Sequence, residues 1–298
     1  MKILGIGLMG VPFFNLDVKK EAESRGHSMD FCLASSLNFD ISNESIDIRA
    51  GGFNLKDFDL IHVGSLIRNR WPLIATFGYL SRNTGCAIVD DRLISTNLDQ
   101  YSGLAKYILE HENGIRFPRS IVFKQVEEIE DKLCEFKFPV IIKTNCSKQG
   151  AGVGLAHNIK DIKKFVKQKL KISQNIGFIL RERIPNNGDY RVNVIDGKAV
   201  VCLKRTPKKG EFRSNISLGG KLTKTNAKDV KEVCAVGEKI ARLSNYDVAG
   251  VDVMVHADTG VAYVLEVNRA PGSLEDDVLA SGVDMAKLIV DLYEKRVA

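Results

Sequence analysis

Asp247–Gly272 reads DVAGVDVMVHADTGVAYVLEVNRAPG. The pattern is that of two strands, Gly250–His256 and Val261–Asn268, joined by the turn residues Asp258, Thr259 and Gly260. Side chains alternate faces along a strand. Val251, Val253, Val255, Val261, Tyr263, Leu265 and Val267 then make an apolar core face. Asp252, Met254, His256, Val264, Glu266 and Asn268 share the other. Asp252 and Glu266 fall opposite each other, and Asn268 follows on the same face. Two carboxylates and an amide oxygen on one rigid face form a hard-oxygen site suited to Mg²⁺ with phosphates. The competing reading is a solvated polar face. Against it, Glu266 and Asn268 sit between apolar residues in LEVN, and Asn268-Arg269-Ala270-Pro271-Gly272 ends the strand at a position where open α/β sheets bind ligands.

Working outward, 298 residues are enough for two or three domains. The sequence divides as 1–94, 95–175 and 176–298. The first part alternates strands and helices: strand Lys2–Gly7, helix Leu16–Arg25 stopped by Gly26, and strands Ser28–Ala34, Leu60–Val63 and Thr84–Val89. This is a Rossmann-like α/β pattern. Gly5-Ile6-Gly7-Leu8-Met9-Gly10 matches the dinucleotide fingerprint, with Asp30 at the end of the second strand. Pro12-Phe13-Phe14 follows where a helix should already aim its N-terminus at a pyrophosphate. The fingerprint therefore reads better as a glycine-rich first turn. Arg68, Arg70 and Trp71 read as a loop, either a basic substrate-side loop or a solvated one.

The middle part holds helix Leu98–Glu110, strand Ser120–Phe123, helix Val126–Glu135 and the apolar strand Pro139–Lys143. Ser147–Gly154 (SKQGAGVG) follows as a glycine-rich flap, where backbone N–H groups can approach phosphate oxygens without a Cβ in the way. It is not a Walker A loop, because Gly-Lys-Ser/Thr opening a helix is absent. Asp161–Lys171 is a basic amphipathic helix with a solvated face.

In the third part, strand Phe178–Glu182 leads through Pro185–Gly188 to Asp189–Ile195, with Asp189, Arg191 and Asn193 on one face. Asp196-Gly197 is a two-residue hairpin turn, and Ala199–Lys204 returns. Lys204, Arg205, Lys208, Lys209 and Arg213 then crowd one loop, which suggests anionic ligands. Arg213 and Asn215 repeat the spacing of Arg191 and Asn193, as on a second strand facing the site. Helices Ala227–Leu243 and Asp284–Glu294 flank the metal hairpin.

Composition excludes several classes. No run approaches the roughly 18 apolar residues of a membrane helix. The apolar N-terminus lacks a signal-peptide cleavage pattern and reads as a strand. Six scattered cysteines with no C-x-x-C point to neither zinc nor a disulfide framework, as in a reducing cytosol. A net charge of +6 over this length is no nucleic-acid signature.

In their order, Lys143, the flap, Glu182, Asp189, Arg191, Phe212-Arg213-Ser214-Asn215, Asp252, Glu266 and Asn268 resemble the ATP-grasp superfamily, and within it the RimK-type carboxylate–amine (glutamate) ligases. The resemblance spans about residues 95–290. It implies an α/β (α+β) ATP-grasp fold with an N-terminal Rossmann-like domain, a central lid and a C-terminal mixed-sheet domain. It implies a cytoplasmic, ATP-dependent enzyme that activates a carboxylate as an acyl phosphate and joins it to an amine, with ADP as product. It also implies assembly as a dimer or tetramer. By position, Lys143 contacts the ATP phosphates under the flap of Gln149, Gly150 and Gly152. Glu182 and Arg183 sit at the adenine hinge, and Asp189 lies beside the nucleotide. Ser214 and Asn215, with Arg213, reach the triphosphate. Asp252, Glu266 and Asn268 hold two Mg²⁺, for which Mn²⁺ can substitute. Planar guanidinium groups suit carboxylate and phosphate, so Arg191, Arg205 and Arg213 are the candidates for the acid substrate and the transferring phosphoryl group. The chain departs from the family pattern at Gln100, where a nucleotide-contacting Lys is usual, and at Arg269, where small residues are usual. Two other functions stay open: an NAD(P)-binding oxidoreductase using Gly5–Gly10, and a non-catalytic ATP-binding regulator.

Overall fold

A parallel sheet, β1 (Lys2–Gly7), β2 (Ser28–Leu33), β6 (Leu60–Val63) and β7 (Ala87–Val89), lies near the start of the chain in the order β2-β1-β6-β7. The structure is a computed structural model and describes residues 1–7, 16–64, 70–90, 110–144, 152–172, 176–214, 219–225, 230–268 and 281–298. Helix α1 (Leu16–Ser24) follows β1. A small antiparallel sheet, β3 (Asn38–Ile41), β4 (Ile46–Ala50) and β5 (Phe53–Asn54), branches off before β6. Helix α2 (Arg70–Asn83) precedes β7. Residues 70 and 71 thus begin a helix, not the expected loop. Pro72 sits in its first turn, where the N–H that proline lacks has no helical partner to lose. Asp30 lies within β2, opposite Leu4, and pairs with Lys19. It is not the strand-end acid that a dinucleotide site needs. The Leu8–Gly10 half of that fingerprint lies outside the described residues.

The central sheet contains β8 (Ser120–Phe123), β9 (Val140–Thr144), β10 (Val153–Ala156) and β11 (Phe178–Arg181), in the order β10-β9-β11-β8 and antiparallel throughout. The boundary expected at 175/176 falls ahead of β11, whose register places it in this sheet. Residues 126–135 form two 3₁₀ segments broken at Ile129, not one α-helix. Helix α3 (Ile159–Leu170) starts at Asn158, whose side chain accepts from the N–H of Lys160 and Asp161. A cap of this kind contributes about 1 kcal/mol.

The C-terminal sheet holds β12 (Asp189–Ile195), β13 (Lys198–Thr206), β14 (Lys221–Lys224), β15 (Val248–Val255) and β16 (Ala262–Asn268), in the order β14-β13-β12-β15-β16. The turn between β12 and β13 has φ of 49° at Asp196 and 72° at Gly197. Both central residues are left-handed, as the type I′ hairpin requires. One face of this sheet packs on α4 (Lys231–Leu243) through Val192, Val194, Ala249, Val251 and Val253. The other face shares a core with the N-terminal sheet. Ile195, Leu203 and Val248 meet Ile3, Leu60 and Val89 around α5 (Met285–Val297), whose Tyr293 is fully buried.

Candidate active site

The expected metal residues fall in register on the C-terminal sheet. Asp252 on β15 lies directly opposite Glu266 on β16 and Arg191 on β12. The next row is Asn193, Gly250 and Asn268. The side-chain parity expected from the sequence holds for Val267, Glu266 and Asn268 but not beyond them. A bulge after Asp252 pairs Val253 with Val264 and leaves Leu265 as the extra residue. Period-two alternation reverses across such an insertion. Val264 and Ala262 therefore bury on the core side, and Tyr263, expected there, lies opposite Met254. The Leu265 carbonyl accepts from Nη1 of Arg181 at 3.5 Å, a contact from the central sheet that sequence reasoning did not foresee.

Arg191 donates Nε to Asp252 Oδ1 at 2.5 Å and Nη2 to Oδ2 at 3.2 Å. Arg205, opposite Asp189 on β13, donates Nε to Asp189 Oδ1 at 2.6 Å and places Nη2 3.0 Å from Asp252 Oδ2. All four side chains are about nine-tenths buried. Two carboxylates and two guanidinium groups balance in charge. That balance makes burial tolerable, because an unpaired buried ion costs several kcal/mol. Burial pushes the Asp252 carboxyl up, but the two arginines outweigh it and hold it below the ordinary value. Burial raises Asp189, with Arg205 opposing. Burial also works against the charge on Arg205, and Asp252 and Asp189 overcome it, so its pKa is raised.

Arg191 and Arg205, expected to meet anionic substrate groups, are thus held by carboxylates of the chain itself. Glu266 is exposed and Asn268 half-buried at the end of β16. The donor set is two carboxylates and an amide oxygen, all hard, on one face. Among the described residues no group of three or more His, Cys, Asp and Glu is placed to hold a metal ion, so this face would depend on the Asn268 amide and on substrate phosphates to complete it. Asp252 Oδ2 takes both arginine Nη2 groups, whereas Oδ1 takes one hydrogen bond and retains a lone pair for a cation. These residues fit Mg²⁺. Asn193, 2% exposed and beside this row, has a buried Nδ2 with no partner among the described residues.

The other expected residues lie on neighbouring elements. Lys143 is on β9, opposite Val153 and Ile179. The Gly152 carbonyl accepts from the N–H of Thr144 at 3.0 Å, which closes the base of the flap. At the hinge, Glu182 gives its N–H to the Arg119 carbonyl at 2.9 Å and takes the Arg119 N–H on Oε1 at 2.8 Å. Arg183 is exposed. Gly188 is buried with φ of 106°, and its Asn186 neighbour accepts its N–H at 2.9 Å. Arg213 and Ser214 are described outside any strand, so the expected second strand facing the site is absent there. The sheet is instead extended by β14. Arg213 pairs with Glu211, whose carboxyl is held down to about 2 by that hydrogen bond. Glu211 was not singled out from the sequence; its only signal was its place one residue before Phe212-Arg213. Gln149, Gly150, Asn215, Gln100 and Arg269 lie outside the described residues.

Among solved structures, the fold is similar to that of the ATP-grasp ligase PsnB complexed with a phosphomimetic variant of minimal precursor, Mg and ADP. The TM-score is 0.72 at 17% identity, covering 99% of this chain and 98% of that one. It is also similar to D-alanine–D-alanine ligase from Bacillus anthracis, with a TM-score of 0.67 at 15% identity over 99% and 96% of the two chains. The class is that of the ATP-grasp fold. A model of the RimK-like ATP-grasp domain matches residues 104–293. A probable alpha-L-glutamate ligase of Aliivibrio fischeri (strain MJ11) is 31% identical over 291 residues, 93% of this chain and 90% of that protein. The chain belongs to the RimK-like ATP-grasp family, and it is an ATP-dependent carboxylate–amine ligase.

Proposed function

We propose that the ligase activates a glutamate-like acid on its carboxylate and transfers the acyl group to an amine of a small molecule or peptide. The acid's carboxylate oxygen attacks the γ-phosphorus of ATP, ADP leaves, and an acyl phosphate forms. The amine nitrogen then attacks the acyl carbon and inorganic phosphate departs. Phosphoryl transfer asks the protein mainly for positioning and charge neutralisation. Residues 1–94 carry the acceptor side, the central sheet with its flap covers the phosphates, and the C-terminal sheet supplies the metal face. The flap residues Gln149, Gly150 and Gly152, with Lys143, contact the triphosphate. The hinge at Glu182 and Arg183 takes the adenine, and Asp189 lies beside the nucleotide. Arg213, Ser214 and Asn215 face the transferring group. Asp252, Glu266 and Asn268 hold two Mg²⁺, which neutralise phosphate charge. Arg191 and Arg205 hold Asp252 ionised and orient it, and their remaining donors face the acid.

The observation that supports this most is the in-register row Arg191–Asp252–Glu266 with Asn268 one row on. The assay is ADP and phosphate release with ATP, Mg²⁺ and amino acids supplied one pool at a time, with and without amine acceptors. Release that depends on glutamate, and rises with an amine, is expected. No ADP with any acid, alongside stabilisation by NAD(P) and none by ATP, would overturn the reading in favour of Gly5–Gly10.

A further inference from the structure

Two thiols outside the proposed site face each other across the C-terminal sheet and its covering helix. Successive contacts fix how α4 runs over β13. Arg242 Nη1 donates to the Gly197 carbonyl at 2.6 Å, and Glu238 Oε1 takes the Ala199 N–H at 3.0 Å. Four helix residues advance about 6 Å, and Ala199 and Cys202, which lie opposite Val194 and Val192 with a bulge residue between, are two ladder positions or about 6.6 Å apart. The next turn of α4, at Cys234, therefore lies over Cys202. A second line of contact agrees. Cys202 is directly opposite Val192 on the α4 side of the sheet. Val192 lies so close beneath Gly237 that a Cβ there would sit 2.9 Å from its Cγ1. Gly237 is one turn from Cys234 on the same helix face. Each thiol is the largest influence on the other's pKa, and both are partly buried against one apolar cluster.

We propose that Cys202 and Cys234 form a reversible disulfide on exposure to peroxide, and that this bond regulates the ligase by closing the segment 203–233. That segment contains Arg205, Arg213 and Ser214. Tying its ends together restricts the connection on which Arg213 and Ser214 ride, beyond the strand that carries Arg205. The chemistry balances. The Cys234 thiolate attacks one peroxide oxygen, giving a sulfenic acid and hydroxide, which takes a proton to become water. The Cys202 thiol then attacks the sulfenic sulfur, loses its proton and expels a second water. The two thiols lose two electrons and peroxide gains them.

The order of attack follows from the environment. The neighbouring Cys202 lowers the Cys234 thiol, while burial and Glu238 oppose. Cys234, with burial, in turn raises Cys202. The thiolate is the nucleophile. Burial pushes Cys32 and Cys86 up to about 12, which keeps both inert. Cys134 is exposed and lies on another sheet's connection.

The test treats the full chain with hydrogen peroxide, digests it without reduction and maps cross-linked peptides by mass. ADP release is followed in parallel. The expected result is a peptide pair joining Cys202 to Cys234, lighter by two hydrogens, with a loss of ADP release that dithiothreitol restores. In Cys234→Ser the cross-link is absent and peroxide no longer gives the reversible loss. Failure to find the cross-link in the wild type overturns the proposal, as does a cross-link that leaves the rate unchanged. The mass readout needs no turnover, so a failure of the ligase assignment is separately visible.

Discussion

Asp252 and Glu266 face each other across one hairpin, yet the structure gives them different burdens. Asp252 is 8% exposed and takes hydrogen bonds from both Arg191 and Arg205. Glu266 is exposed. Asp252→Asn removes one of two negative charges from a buried set that holds two guanidinium groups. Asp189 alone then faces both. Breaking a buried pair from one side costs about 3–5 kcal/mol, because the abandoned charge cannot return to water. At about 2–4 °C per kcal/mol for a chain of this order of size, the melting temperature falls by about 6–20 °C. Glu266→Gln leaves no buried charge and changes stability by less than about 0.5 kcal/mol. Both substitutions replace a proposed carboxylate ligand with a neutral amide, which weakens the hold on a divalent cation, so ADP release is expected to be lost in both. The assay pairs scanning fluorimetry of the two variants with coupled ADP detection at saturating ATP and Mg²⁺. Equal melting temperatures for Asp252→Asn and wild type would refute the reasoning about the quartet. Normal turnover by Glu266→Gln would refute the metal assignment independently of stability.

Gly188→Ala places a Cβ 2.2 Å from the Arg205 carbonyl at a φ of +106°, so the backbone that carries Arg205 must shift. A loss of about 1–3 kcal/mol and a drop in ADP release are expected together, read by denaturant titration and the same coupled assay. Tyr293→Phe removes the hydroxyl 2.8 Å from Nδ1 of His62, for an expected cost of about 1–3 kcal/mol in thermal or urea unfolding. Arg25 bonds Asp291 at 2.7 Å and Glu294 at 3.0 Å, and hydrogen bonds from Lys287 and Arg25 lower Asp291 while that from His27 lowers Glu294. Groups lowered on folding stabilise above their unfolded values, here 3.8 and 4.5, and lose that stabilisation as pH falls through the folded ones. The gap in melting temperature between wild type and Arg25→Met should therefore be open at pH 6–7 and close below about pH 4; a gap that widens in acid would contradict it.

The hairpin that carries Asp252, Glu266 and Asn268 was legible because its signal is local. Asp252, Glu266 and Asn268 sit on strands whose parity a reader can count, and Asp196-Gly197 names its own turn. The bulge at Leu265 was not legible, since an inserted residue leaves no mark in an apolar run, and it reversed the faces of Val264 and Tyr263. Arg70–Asn83 was obscured by Pro72, which breaks helices everywhere except their first turn. The pairing of Arg191 and Arg205 with Asp252 joins residues far apart in sequence on three strands. Only the register of β12 against β13 and β15 brings them together. Sequence alone could say that these arginines suit anions, but not that one such anion is an aspartate of the chain itself. Residues 38–54 carry a small sheet that no spacing argument had singled out.

The helix Met285–Val297 finishes a core begun by Ile3 and Leu60. During synthesis the corresponding face of the parallel sheet stays open to water until residues 285–293 have left the ribosome. Transiently exposed apolar sheet surface of this kind is prone to aggregate. Cut out as residues 1–94, the N-terminal block would present that apolar face permanently, and aggregation during expression is the expected fate of such a fragment. Supplying the helix again, fused directly to the fragment, is the simplest way to make it behave as a separate body.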